Sequence, residues 1–208
     1  RRKLFLYHPD PDGESDAMGP DPGAAPPSPP APRAAGPGLE GFLGQARIVA
    51  NLRLAIEAAR ARKELPPPVL LAGPPGLRKT LLARRIAGEI GAEIRQAQGP
   101  SLQDLGALIG ILAELEPGDV FFIDEIHGLP PGVAEILYQA MDERKLSIPV
   151  ADGPRMRLVM LRLEPFLLIG ATTEESELLR PLRSRFGILE RLDLYPLEEL
   201  SALAAAAG

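Results

Sequence analysis

Cysteine is absent from these 208 residues, which excludes both a disulfide framework and any thiolate metal site. Histidine is almost absent: His8 and His127 are too few for a histidine-based metal centre. No apolar run approaches the roughly 20 residues that a membrane span needs. The opening RRKLFLYH carries no apolar core followed by a small-residue cleavage site. The expectation is a soluble, cytoplasmic protein with no membrane partner. An excess of positive charge is also lacking. The net charge is −5, and the basic residues are scattered or fall inside the motifs below. A chain that held DNA mainly by neutralising phosphates would show a basic stripe, so strong autonomous DNA binding is not expected.

Proline (24) and glycine (21) are plentiful but uneven. Residues 9–38, PDPDGESDAMGPDPGAAPPSPPAPRAAGPG, have no apolar periodicity and bury too little to offset the entropy of ordering. Residues 1–38 therefore read as a disordered N-terminal segment, with a proline-rich docking stretch around PPSPPAP as the alternative. From residue 39 the texture changes. Ile48, Val49, Leu52, Ile56 and Ala59 recur at helical spacing over residues 46–62. LPPP ends that helix, and residues 69–72 form a short buried strand. The reading continues with a helix over 79–90 closed near Gly91, a strand over 93–98 and a helix over 102–115. An apolar strand then runs into acids at 119–125, followed by a helix over 132–142. Residues 145–150 and 156–163 flank ADGP as a β-hairpin, and FLLIGA at 166–171 is a further buried strand. Alternating strands and helices imply an α/β fold, a parallel sheet with helices on both faces.

In such a sheet ligands bind beyond the carboxyl ends of the strands. Three polar features sit at three such ends: GPPGLRKT at 73–80, Asp124-Glu125, and Thr172-Thr173. The backbone of Gly73, Pro74, Pro75, Gly76 and Leu77 would wrap phosphates at the start of the next helix. Lys79 would reach the outer phosphates, and the Thr80 hydroxyl would ligate Mg²⁺. Asp124 would hold that Mg²⁺, and Glu125 would orient and deprotonate the attacking water. The phosphate-loop pattern G-x-x-x-x-G-K-[ST] has glycine before its lysine, where this chain has Arg78. A Cβ in so tight a loop leads to the expectation of weaker nucleotide binding and a larger loss of hydrolysis.

The phosphate loop with VFFIDEIH (120–127), EILYQAM (135–141), LIGATT (168–173) and PLRSRFGI (181–188) resembles the RuvB family, from about residue 39 to 195. That family is an AAA+ motor of Holliday-junction branch migration. The resemblance implies an AAA+ P-loop ATPase domain over 39–196, with the β-hairpin inserted before the sensor strand. Residues 197–208 would begin a truncated helical lid, ahead of a winged-helix DNA-binding domain. ATP and Mg²⁺ are implied, with Leu81 also at the nucleotide. Thr173 would sense the γ-phosphate, and Arg185 would be a finger inserted into a neighbour's site in a homo-hexameric ring. Asp142, Glu143 and Arg144 would lie near a neighbour's nucleotide, and Tyr195 near the adenosine. Met156, Leu158, Val159 and Met160 would dock a RuvA-like junction-binding protein, with Holliday-junction DNA the substrate in recombination and repair. Interior packing is the alternative for those apolar residues. Two other readings stand beside the motor. One is a degenerate, partner-binding domain without turnover, favoured by Arg78. The other is a clamp-loader-like AAA+ subunit, which would not account for DEIH with the hairpin.

Overall fold

The structure is a computed structural model, and it describes residues 36–40, 42, 44–152 and 155–194. Its elements are α1 (Ala46–Ala61), β1 (Val69–Ala72), α2 (Lys79–Ile90), β2 (Ile94–Gln98), α3 (Leu105–Glu114), β3 (Val120–Asp124) and α4 (Pro131–Glu143). These are followed by β4 (Lys145–Asp152), β5 (Arg155–Arg162), β6 (Leu167–Thr172), α5 (Arg180–Arg183) and β7 (Ile188–Arg191). Five strands form one sheet in the order β2-β3-β6-β1-β7, every neighbouring pair parallel. The antiparallel hairpin β4-β5 stands apart, inserted ahead of β6.

Strand alternation sorts the core into two layers. On one face, Val69, Leu71, Phe122 and Ile169 pack with Leu52 and Ile56 of α1 and Leu82 and Ile86 of α2. On the other, Leu70, Phe121, Ile123 and Leu168 pack with Leu108 and Leu112 of α3 and Val133 and Leu137 of α4. Phe121 and Phe122 are thus adjacent in sequence, fully buried, and on opposite sides of the sheet. Crossover helices must cover both faces of a parallel sheet, and they do.

Three details differ from the sequence reading. The helix expected from residue 102 starts at Leu105, because Asp104 caps it: its Oδ1 accepts the Gly106 N–H at 3.1 Å. A fifth strand, β7, follows the PLRSRFG stretch and pairs with β1. Residues 36–38, read with the N-terminal segment, lie against α2. Gly36 and Pro37 press their carbonyls so close to α2 that a Cβ on Gly88 would lie 2.6 Å and 2.5 Å from them. Arg85 also donates to the Gly38 carbonyl at 3.2 Å. Residues 1–35, the turn at 153–154, Tyr195 and residues 197–208 lie outside the described residues. Among the described residues no helix is long and apolar enough to cross a membrane.

Candidate nucleotide-phosphate site

β1 runs straight into the glycine loop, and α2 begins at its lysine. Gly73 passes so close to the chain leaving β7 that a Cβ would sit 2.6 Å from the Leu192 carbonyl oxygen. Leu77 is buried and pins the loop to the core beneath α1 and α2. Arg78 takes the left-handed conformation, φ 60° and ψ 29°, and still starts the helix, its carbonyl accepting from the Leu82 N–H at 2.9 Å. For a residue with a Cβ that conformation costs about 1–2 kcal/mol. Its side chain is exposed, and its guanidinium carbon lies 5.9 Å from the centre of the Phe42 ring.

Lys79 crosses the loop from beneath. Its Nζ donates to the Gly73 carbonyl at 2.7 Å and the Pro74 carbonyl at 3.0 Å, and the residue is buried. Burial lowers its pKa from the ordinary lysine value, while the charges of Glu125 and Asp124 pull it back up. The Thr80 hydroxyl lies 3.3 Å from Asp124 Oδ2, at the end of β3. That same oxygen accepts from Gln98 Nε2 at 3.4 Å, from the end of the neighbouring strand β2. Thr80 and Asp124 together offer hard oxygen donors, the chemistry that suits Mg²⁺.

Glu125 follows β3 in a left-handed turn, φ 47° and ψ 50°. A Cβ on Gly99 would collide with its carbonyl oxygen, so the turn needs glycine at the end of β2. Gly99→Ala is expected to lower unfolding stability by about 1–3 kcal/mol, an overpacking penalty readable by urea denaturation. The Glu125 carboxylate turns toward β6. Its Oε2 accepts from the Thr173 backbone N–H at 3.1 Å and the Thr173 hydroxyl at 2.9 Å. Thr172 is buried, and its hydroxyl meets His127 Nδ1 at 2.9 Å; the same ring nitrogen is 3.4 Å from Glu125 Oε2. Adjacent threonines therefore split their duties, Thr173 toward the acid and Thr172 toward the imidazole.

A second cluster gathers around Arg185. Its Nε donates to both carboxylate oxygens of Asp142 at 3.0 Å, its Nη1 donates to the Pro181 carbonyl at 2.7 Å, and its guanidinium carbon lies 4.7 Å from the Tyr138 ring centre. The Asp142 hydrogen bond is the main cause of the raised Arg185 pKa. Tyr138 and Asp142, four residues apart, share a face of α4. Glu143 pairs with Lys145 at 3.5 Å, and Arg144 closes α4 in a left-handed turn. Glu175 ties the turn after β6 to both Arg183, at 2.7 Å, and Arg191, at 2.7 Å. Arg191 first and Arg183 after it hold the Glu175 carboxyl below its usual range. Sequence reasoning missed Gln98, Tyr138 and Glu175. Only Tyr138 left a signal, its helical spacing to Asp142.

On the hairpin, period-two alternation divides the apolar residues. Met156 and Leu158 are 70% and 60% exposed and Met160 is half-buried, whereas Val159 is only 9% exposed. Val159 therefore leaves the proposed docking set, because it points to the opposite face of β5.

A parallel sheet with this strand order, a lysine-bearing glycine loop after β1, paired acids after β3 and a threonine after β6 defines a phosphate-loop ATPase domain of the AAA+ class. Residues 36–192 match the family described as "Holliday junction DNA helicase RuvB P-loop domain". The chain belongs to that RuvB family. It is 50% identical over 165 residues to the Holliday junction branch migration complex subunit RuvB of Chlorobium luteolum, covering 79% of this chain and 48% of that one. It is 52% identical over 165 residues to the subunit of the same name from Prosthecochloris aestuarii, again covering 79% and 48%. The chain thus spans about half the length of the curated relatives it matches. Among solved structures, the Thermotoga maritima RuvB Holliday junction branch migration motor superposes with a TM-score of 0.72 at 43% identity, covering 83% of this chain and 53% of that one. The FIGL-1 AAA domain in complex with ADP gives 0.59 at 25% identity, covering 83% and 61%.

Proposed function

We propose that this domain binds and hydrolyses ATP as part of a RuvB-type motor that drives branch migration of Holliday junctions in DNA recombination and repair. One observation carries the reading: Lys79, the Thr80–Asp124 pair and the Thr173-held Glu125 converge on one glycine loop. Lys79 exchanges the Gly73 and Pro74 carbonyls for phosphate oxygens, a stronger partner for an ammonium. Thr80 and Asp124 would hold Mg²⁺, which when bound offsets the charge of the outer phosphates. Glu125 leaves the Thr173 hydroxyl to take a proton from water, and the freed hydroxyl then faces the γ-phosphate. Arg185 serves a neighbouring subunit's site in a homo-hexamer, as rings place each nucleotide at a subunit boundary. Asp142 sets its direction within that boundary, and Glu143 and Arg144 line it. Met156, Leu158 and Met160 dock a RuvA-like protein. The net negative charge leaves the main junction-DNA contact to other parts of the assembly. Work on chromosomal DNA puts this in the cytoplasm, with residues 36–194 as the packed ATPase unit. Domain titration calorimetry with ATP or ADP in Mg²⁺ tests the site. Micromolar binding is expected, falling at least tenfold in Lys79→Ala; no binding by the parent would sink the reading.

A further inference from the structure

The catalytic groups mark which way a nucleotide must lie. Asp124 ends β3 with Glu125 just after it, and Thr173 follows β6, both on one side of β1 in the strand order. The outer phosphates belong on that side, so the nucleoside end lies on the other, beside β7. That side is edged by the strap of chain that enters the fold ahead of α1. The strap is fixed at several points: the Leu39 N–H donates to Glu89 Oε2 at 2.7 Å, Arg85 Nη1 donates to the Gly38 and Glu40 carbonyls, and the Gln45 amide bonds the Asp193 carbonyl at 2.5 Å. Phe42 lies between these anchors, buried, its N–H donating to the Leu39 carbonyl at 3.2 Å. The phosphate loop reaches this ring with the Arg78 guanidinium, while Leu77 of the same loop shares the buried cluster that holds Phe42.

We infer that Arg78 is a positioning residue that clamps the strap, through the Phe42 ring, onto the phosphate loop, so that both move as one piece around the nucleoside end of a bound nucleotide. Glycine, which the phosphate-loop pattern has there, would offer no such hold. The left-handed backbone makes the arrangement possible: the loop keeps the shape glycine would give it, while the side chain is carried onto Phe42. A guanidinium stacks over an aromatic face better than an ammonium and loses less hydration in doing so. The nucleotide half of this inference rests on the function proposed above; the clamp itself does not.

The test compares the parent with Arg78→Gln, which keeps the Cβ but removes the cation, and with Arg78→Lys, which keeps the charge. Amide hydrogen exchange without nucleotide reads the strap. In Arg78→Gln the Phe42 amide should exchange about two- to fivefold faster, the factor that an exposed cation–aromatic contact supports. Arg78→Lys should fall between the two, and the Leu39 amide, held by Glu89, should not change. An unchanged Phe42 amide overturns the clamp, as does an equal rise at Leu39 and along α2. Dissociation of ADP and of inorganic tripolyphosphate then reads the ligand side. Arg78→Gln should release ADP faster by a similar factor and hold tripolyphosphate as the parent does. Equal weakening of both ligands would mean that Arg78 touches phosphate directly, which overturns the inference; so would tighter binding of both. A parent that binds neither ligand overturns the nucleotide reading, and the exchange comparison then decides the clamp alone.

Discussion

Glu125→Gln is expected to bind ATP as tightly as the parent and to hydrolyse it about 10²–10⁴-fold more slowly, the usual worth of a positioned general base. The substitution is nearly isosteric, and the amide oxygen can still accept from the Thr173 N–H and hydroxyl that the carboxylate accepts from now. The left-handed turn at Glu125 is set by the close approach of Gly99, which the side chain does not enter. Folding should therefore be almost untouched, and the loss should fall on the chemical step. Single-turnover hydrolysis beside a binding titration separates the two. A loss under tenfold would move the base elsewhere, with His127, 3.4 Å from the same carboxylate, the first residue to replace next.

Arg185→Ala should leave each subunit's own nucleotide affinity intact and lower ring hydrolysis by 10³–10⁵-fold, the range for a finger arginine supplied in trans. The effect is not a folding defect. The Arg185 and Asp142 side chains are 27% and 47% exposed, and ion pairs so open to water contribute about 0–1 kcal/mol. Their pairing organises instead: a bidentate carboxylate and an aromatic face fix the guanidinium's direction, and in the proposed ring they do so before a neighbour's phosphate arrives. The decisive measurement mixes two inactive forms. Lys79→Ala carries a good finger and a dead loop, and Arg185→Ala the reverse. Mixed rings should regain a fraction of activity, because some boundaries then pair a working loop with a working finger. Activity lost in the single variant yet not regained on mixing would place Arg185 in its own subunit's site.

The readable features of this chain are those written locally. VLLA, VFFID and FLLIGA are apolar runs closed by turn or polar residues, and each became a strand of the parallel sheet within a residue or two. The loop, the acids and the threonines were legible for the same reason: each follows its strand directly. β7 was not legible, because ILER is half polar. Its buried Glu190 is partnered by Asn51, at 3.0 Å, and Arg47, residues about 140 positions away. In the Arg185–Asp142–Tyr138 cluster only the Tyr138–Asp142 pair is periodic; Arg185 joins it from 43 positions beyond Asp142. The exposure of Met156 and burial of Val159 depended on which face of the hairpin turns inward, a choice that alternation alone leaves open.

The tight turn at Glu125 also bears on timing. With its backbone wedged against Gly99, the 32% exposed Glu125 side chain can leave the Thr173 hydroxyl only by rotating. Rotations of that kind take picoseconds to nanoseconds, whereas enzymes typically turn over at about 1–10³ per second. In the proposed mechanism the swing of Glu125 is at least about a million-fold faster than a working cycle, so it cannot be the clock. Whatever sets the rhythm of such a motor must be a slower event: departure of product, or the sliding of one subunit against the next.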